Sequence, residues 1–398
     1  MDPTEHAFDR SAERPLKFVT RLGGMRGLRT LFGSVMIALW LSAFACAQSP
    51  GTLFELPGAF PELTRPPAMP GTTIVPLSDE ELVVGLQRGG RARAYPLRVL
   101  GDHRVINDDL AGPVAITWDV DAGMARALVP QVGAQRLTLR FQGWYLGVMV
   151  LRDVETGSLW SPLTGYCLAG VHRGVQLTSL PLFVGAWADW RLRSPQTEVP
   201  NVDYAGRYRT SYPRETLQLS PQATRSLGPI DPRLSPETRV VGVVLGGVAK
   251  AWPVAALRGC QVELLGDRGV VICRGNEGGL SAFEPRLAGK PLTLGVVEID
   301  GRPQLLGPDG TLVDPSGRIT VGILAGTDLP AVDIVETSWS AWSSYYPNTL
   351  VDGLPGTATG ACVPVLLPAP VIQPATTADP VRPNSRKIRR DRRKTGRS

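Results

Sequence analysis

Histidine and cysteine carry most metal and nucleophilic chemistry in proteins, and this chain has little of either: His 3 and Cys 5 in 398 residues. No two cysteines stand in a CxxC spacing, which excludes a zinc ribbon and a thioredoxin-type redox motif. The glycine-rich phosphate loops, the GxSxG elbow and the HExxH metal helix are also missing. Pro-Asp-Gly and Pro-Ser-Gly within 308–317 are turns, not phosphate cradles. Long helical periodicity is absent as well. Gly 44 and Pro 36 together make up about a fifth of the chain, which favours many turns and short strands. The basic end RKIRRDRRKTGRS holds no aromatic residue between its charges, unlike a single-strand binder, so nucleic acid is not an expected partner.

What is present is globular in composition, 43% hydrophobic and 20% charged, with length for two domains. The formal charge of +6 is uneven. The tail from Val381 to Ser398 is strongly basic, whereas residues 48–380 are mildly acidic. Near the start, Arg26 and Arg29 precede an uncharged apolar run from Leu31 to Ala45, closing on Ala45-Cys46-Ala47. That order describes a secretory signal peptide over 1–47, with Met25 a candidate true start. A membrane anchor formed by residues 30–47 is the alternative, and a membrane would then be met only there. Lipidation at Cys46 is disfavoured by Ala43 and Phe44 before it. Export places Cys167, Cys260, Cys273 and Cys362 in an oxidising compartment, periplasmic, envelope or extracellular.

The body of the chain is written twice. GRARAYPL at 90–97 returns as GVAKAWPV at 247–254, and WADWRLRSPQTEV at 187–199 returns as WSAWSSYYPNTLV at 339–351. Both of the latter place Trp three residues before Trp, then Pro, Thr and Val at equal spacings. Several landmarks in one order, at offsets of 152 to 157, indicate an internal duplication. The expected class is mainly β (α+β with few short helices), as two related antiparallel β units. The organisation that follows is a Pro/Gly-rich linker at 48–76, a first β repeat at 77–200, a connection at 201–238, a second β repeat at 239–355 and a disordered basic tail at 356–398. Each repeat closes on one short helix. The repeated Trp residues are expected to be core.

GRARAYPLRVL, DHRVINDDLAGPVAITW and SLWSPLTGYCLAG together resemble the bacterial family known as domain of unknown function 3179, over roughly residues 80–285. The resemblance implies an exported or membrane-anchored protein and no established activity. It also marks a departure. The family strand ending in Thr-Trp is followed by Cys-Pro-x-Cys-Gly, where this chain has Asp119-Val120-Asp121-Ala122-Gly123. With His103 and the Asn107-Asp108 turn retained, the family arrangement implies an imidazole beside two thiolates, a soft-metal or thiol-redox site.

Two readings of the remnant stand. In one, Asp119 and Asp121 are turn residues beside Gly123 and His103 is a structural histidine. In the other, His103, Asp119 and Asp121 hold a divalent metal, with Cys167 in reach. A Cys–His pair from Cys167 with His103 or His172 lacks any local signature. In the second repeat, His103 corresponds to Cys260, and the 117–118 region falls near Cys273. A cross-strand disulfide and a pair of buried free thiols are the two alternatives there. The expectation is a non-catalytic binding or scaffold protein of the cell envelope, with no cofactor and a degenerate family site. The rival is a metal- or thiol-dependent enzyme centred on His103.

Overall fold

Short apolar runs broken by paired glycines make hairpins, and one hairpin starts each half of the molecule. Leu82–Arg88 pairs antiparallel with Arg91–Pro96 around Gly89 and Gly90, and Arg239–Leu245 pairs with Val248–Pro253 around Gly246 and Gly247. All four glycines have positive φ, the backbone that a two-residue turn between twisted strands requires. The computed structural model describes residues 51–72, 77–208, 219–275 and 279–355. The signal segment 1–47, the tail 356–398, Cys46 and Cys362 lie outside the described residues.

The described chain is mostly strand, in several antiparallel sheets with four short helices. No helix among the described residues is long and apolar enough to cross a membrane. The first hairpin is flanked by Phe183–Ala186 and by Glu198–Pro200, and the second by Ile334–Ser338 and Leu350–Val351. A helix lies between the two flanking strands in each half, Trp187–Arg193 in the first and Trp339–Tyr345 in the second. The indole N–H of Trp190 donates to Thr197 Oγ1 at 2.8 Å, and that of Trp342 donates to Thr349 Oγ1 at 2.9 Å. Those rings lie flat on Gly85 and Gly242, where a Cβ would come within 2.3 and 2.2 Å of ring carbons. A cation held between two carboxylates recurs too. Arg93 bridges Asp108 and Glu198, and Lys250 bridges Glu263 and Asp352.

Behind each hairpin stand two further sheets. In the first half, Val105–Asp109, Pro113–Asp119 and Met124–Val129 face Leu139–Tyr145 and Val148–Asp153. Val105, Ala115, Leu128, Leu139, Phe141, Met149 and Leu151 fill the space between them. In the second half, Cys260–Leu265 and Arg268–Arg274 take the place of the first of these pairs, and Gly295–Ile299 and Arg302–Leu306 that of the last. The halves share a core. Tyr145, Val148, Val150 and Leu159 pack with Val335, Trp339, Trp342 and Tyr345. Burying this many large apolar side chains, at about 1.5–3 kcal/mol each, fixes the halves against each other.

Two stretches differ from the sequence reading. The segment read as a linker supplies short strands to three sheets: Phe54–Glu55 pairs with Leu139–Tyr145, Leu63–Thr64 with Val105–Asp109, and Ala68–Pro70 with Glu198–Pro200. The connection after residue 200 buries Tyr204 and Tyr208 and holds a helix at Pro221–Arg225, capped by Ser220. Proline and glycine there mark sharp changes of direction between pairings of two or three residues, too short to show a period. A further helix, Leu97–His103, begins directly after Pro96, where the fixed φ of proline suits a helix start.

Candidate functional site

The strand Pro113–Asp119 ends at the junction of the two halves, and the turn that follows is tied by its own carboxylate. One oxygen of Asp119 accepts the N–H of Asp121 at 3.1 Å and that of Ala122 at 3.2 Å. Its other oxygen accepts the N–H of Met149 at 2.7 Å, from the strand across the core. Asp121 turns the opposite way. It accepts the indole N–H of Trp144 at 2.7 Å and the N–H of Ser220 at 2.7 Å. The Ala122 carbonyl accepts from the Ser338 N–H and the Thr337 hydroxyl, both at 3.0 Å, so the turn also docks the second half. Burial first, and the nearby Asp121 charge second, push the Asp119 carboxyl up to about 7; the backbone N–H donors and Arg104 oppose them.

Around this turn the fold gathers residues that sequence reasoning missed. Tyr345 donates to the Tyr145 carbonyl at 3.3 Å, and burial holds its phenol well above the usual range. Ser161, Asp119 and Tyr145 all lie close enough to Tyr345 to influence its phenol. Ser161 comes from the WSPLTG stretch, and Tyr345 from the second half's tryptophan helix. The Tyr145 hydroxyl and Thr117 Oγ1 are buried without a hydrogen-bond partner among the described residues. The signal for this grouping was present as motif identity, not as spacing.

His103, at the end of its helix, meets a different set of groups. Its Nδ1 lies 2.6 Å from the Pro61 carbonyl and its Nε2 2.5 Å from the Tyr208 hydroxyl. A carbonyl only accepts, so the neutral ring carries its proton on Nδ1 and accepts from Tyr208 at Nε2. Asn107 exchanges both side-chain hydrogen bonds with the Leu139 backbone, at 2.8 and 2.9 Å, and staples the two sheets. Asp108 accepts from Arg93 at 2.6 Å and from the Tyr95 hydroxyl at 2.9 Å. Cys167 is a free, buried thiol that donates to the Ala169 carbonyl, and burial pushes its pKa up to about 11. His172 lies against the Trp160 ring, with 6.0 Å between centroids.

The structure therefore brings Asp119 and Asp121 together and leaves His103 engaged with Pro61 and Tyr208, and Cys167 with Ala169. No three His, Cys, Asp or Glu side chains among the described residues are grouped as metal ligands. Cys260 and Cys273 face each other as direct partners on adjacent strands and are joined in a disulfide.

A family model described as "Protein of unknown function (DUF3179)" matches residues 57–349, a span that covers both halves and most of the segment read as a linker. No curated protein matches the chain, and no solved structure does.

Proposed function

The chain belongs to the DUF3179 family, and we propose that it is a non-catalytic binding or scaffold protein of the cell envelope. One observation carries this reading. Every donor atom that a remnant metal site would use is already engaged within the chain: both oxygens of Asp119 and of Asp121, and both ring nitrogens of His103. Recruiting any of them as a ligand would leave a buried polar partner unpaired (a backbone N–H or the Trp144 indole for the carboxylates, the Pro61 carbonyl or the Tyr208 hydroxyl for His103), at about 1–3 kcal/mol each. Export rests on the apolar run 31–45 and the Ala-Cys-Ala after it.

The enzymatic alternative has one observation of its own. Asp119 holds its proton up to about neutrality and lies close to Tyr345, which in turn neighbours Tyr145. These groups are buried, which is against their use on a substrate.

The test is metal content by mass spectrometry with a free-thiol count, on the full chain expressed with its leader for export. The expected result is no stoichiometric metal, with Cys260 and Cys273 blocked. Stoichiometric metal that disappears in His103→Ala or Asp119→Asn would overturn the scaffold reading and direct substrate screens to that turn.

A further inference from the structure

An edge strand offers unpaired N–H and carbonyl groups, and the first half closes two such edges with one stretch of chain. Leu63–Thr64 runs parallel along the outer side of Val105–Asp109, and the Arg65 N–H donates to the Asn107 carbonyl at 2.7 Å. Ala68–Pro70 then runs antiparallel along the outer side of Glu198–Pro200. Leu63 and Met69 pack against the apolar core as they pass.

The second half has both strands and neither cover. Cys260–Leu265 and Leu350–Val351 are outermost in their sheets among the described residues. Asp108 and Glu263 each hold the hairpin cation and so mark equivalent positions. Asn107, just before Asp108, is 7% exposed, whereas Val262, just before Glu263, is 39% exposed and Leu264 after it 75%. Gln261 Oε1, on the same strand, is buried without a hydrogen-bond partner among the described residues. Apolar side chains beside an unpaired ladder edge are the arrangement that accepts an added strand. Beside Leu350–Val351 one contact is already made, since Arg233 donates to the Thr349 carbonyl at 2.7 Å. The edge left open is that of Cys260–Leu265.

The chain itself narrows the occupant. Residues 220–227 stand as far before the second hairpin as 63–70 stand before the first, but they are held on the first half. Ser220 donates to Asp121, and the Ser226 carbonyl accepts from Leu146. Beyond the described residues, the sequence of 364–373 repeats the covering stretch. Pro364, Leu366 and Pro370 have the spacing of Pro61, Leu63 and Pro67, and Ile372 matches Met69. The described fold also ends close to the open strand. Asp352 and Glu263 share Lys250 Nζ, at 3.0 and 2.5 Å. The twelve steps from Asp352 to Pro364 span up to roughly 40 Å, ample to reach that edge. Prolines suit an outermost strand, whose far side donates to nothing. We infer that residues 364–373 dock along the open edge of Cys260–Leu265, parallel to it, with Leu366 and Leu367 beside the exposed Val262 and Leu264. The inference is independent of the scaffold reading.

The experiment is hydrogen–deuterium exchange read by mass spectrometry on the full chain, on Leu366→Asp, and on a chain ended after Thr359. Both changes fall outside the described residues, and thermal unfolding checks that the fold is kept. The expected result is slow exchange over 364–373 in the full chain, with uptake over 260–265 rising in both variants. Exchange over 364–373 as fast as in a free peptide of that sequence overturns the inference, as does uptake over 260–265 unchanged by the truncation. Repeating the exchange over a concentration series is expected to give the same protection at each dilution. Protection that fades on dilution overturns the inference too, by showing that the tail of a second copy fills the edge.

Discussion

Asp119 makes the stability of this protein depend on pH in a direction opposite to that of most carboxylates. Its carboxyl is buried, sits beside Asp121, and is pushed from 3.8 to about 7. The unfolded chain releases this proton near pH 4, whereas the folded chain holds it to about pH 7. Between those values the folded state binds more protons, so stability falls as pH rises. The contribution is fully present below about pH 4, lost progressively towards pH 7, and flat above it. The whole displacement corresponds to at most about 4 kcal/mol, of which about 2–3 kcal/mol lies between pH 5 and pH 8.

The perturbation is Asp119→Asn, and the assay is urea unfolding at a series of pH values from 5 to 8. Asparagine keeps one acceptor oxygen and turns the other site into a donor. It leaves either the Met149 N–H or the N–H groups of the turn without a partner, a pH-independent cost of about 1–3 kcal/mol. The two effects separate cleanly. The variant is less stable at pH 5, and the gap narrows or reverses by pH 8. Asp109, Asp153, Glu198 and Asp231 are held below their ordinary values, so their contributions are lost at lower pH and do not enter this window. Parallel stability curves for the two proteins across pH 5 to 8 would refute the reasoning.

Two further outcomes test the packing and the thiol. Gly242→Ala places a methyl 2.2 Å from a ring carbon of Trp342, whose indole is pinned to Thr349. It is expected to cost about 1–3 kcal/mol in thermal or chemical unfolding, with Gly85→Ala behaving alike against Trp190. A substitution without effect at either glycine would show that the rings move aside freely. Cys167, buried and with its pKa raised to about 11, is expected to stay unreactive to a thiol reagent at pH 8 until the protein is denatured. Rapid labelling of native Cys167 would instead favour a thiol-dependent activity.

What could be read from the sequence was whatever the chain states locally. The spacing Trp190–Pro195–Thr197, repeated as Trp342–Pro347–Thr349, corresponds to an indole returning to a threonine seven residues on. Paired glycines between apolar runs gave the hairpins, because a two-residue turn with positive φ leaves few other residues available. The surroundings of His103 had no such local statement. Its partners lie 42 and 105 residues away, in segments whose proline content made them read as linker and connection. Asp121 likewise depends on Ser220, 99 residues on. Long-range hydrogen bonds to irregular backbone leave no period to detect.

The Asp-Val-Asp-Ala turn of this chain poses a physical problem of its own. The turn enters a dry junction between two halves, where its N–H groups cannot reach water and need acceptors. A thiolate accepts hydrogen bonds weakly and is better suited to a metal or a second thiol. A carboxylate presents two strong acceptor oxygens, and Asp119 uses both, on the N–H groups of Asp121, Ala122 and Met149. Those bonds lock the turn whose Ala122 carbonyl holds Ser338 and Thr337 of the second half. The carboxylate is costly to bury, and its raised proton affinity is the measurable sign of that cost. Asp119 is therefore best understood as a residue that binds its own backbone, and the pH dependence of unfolding reports on the cost of burying it beside Asp121, which those bonds only partly offset.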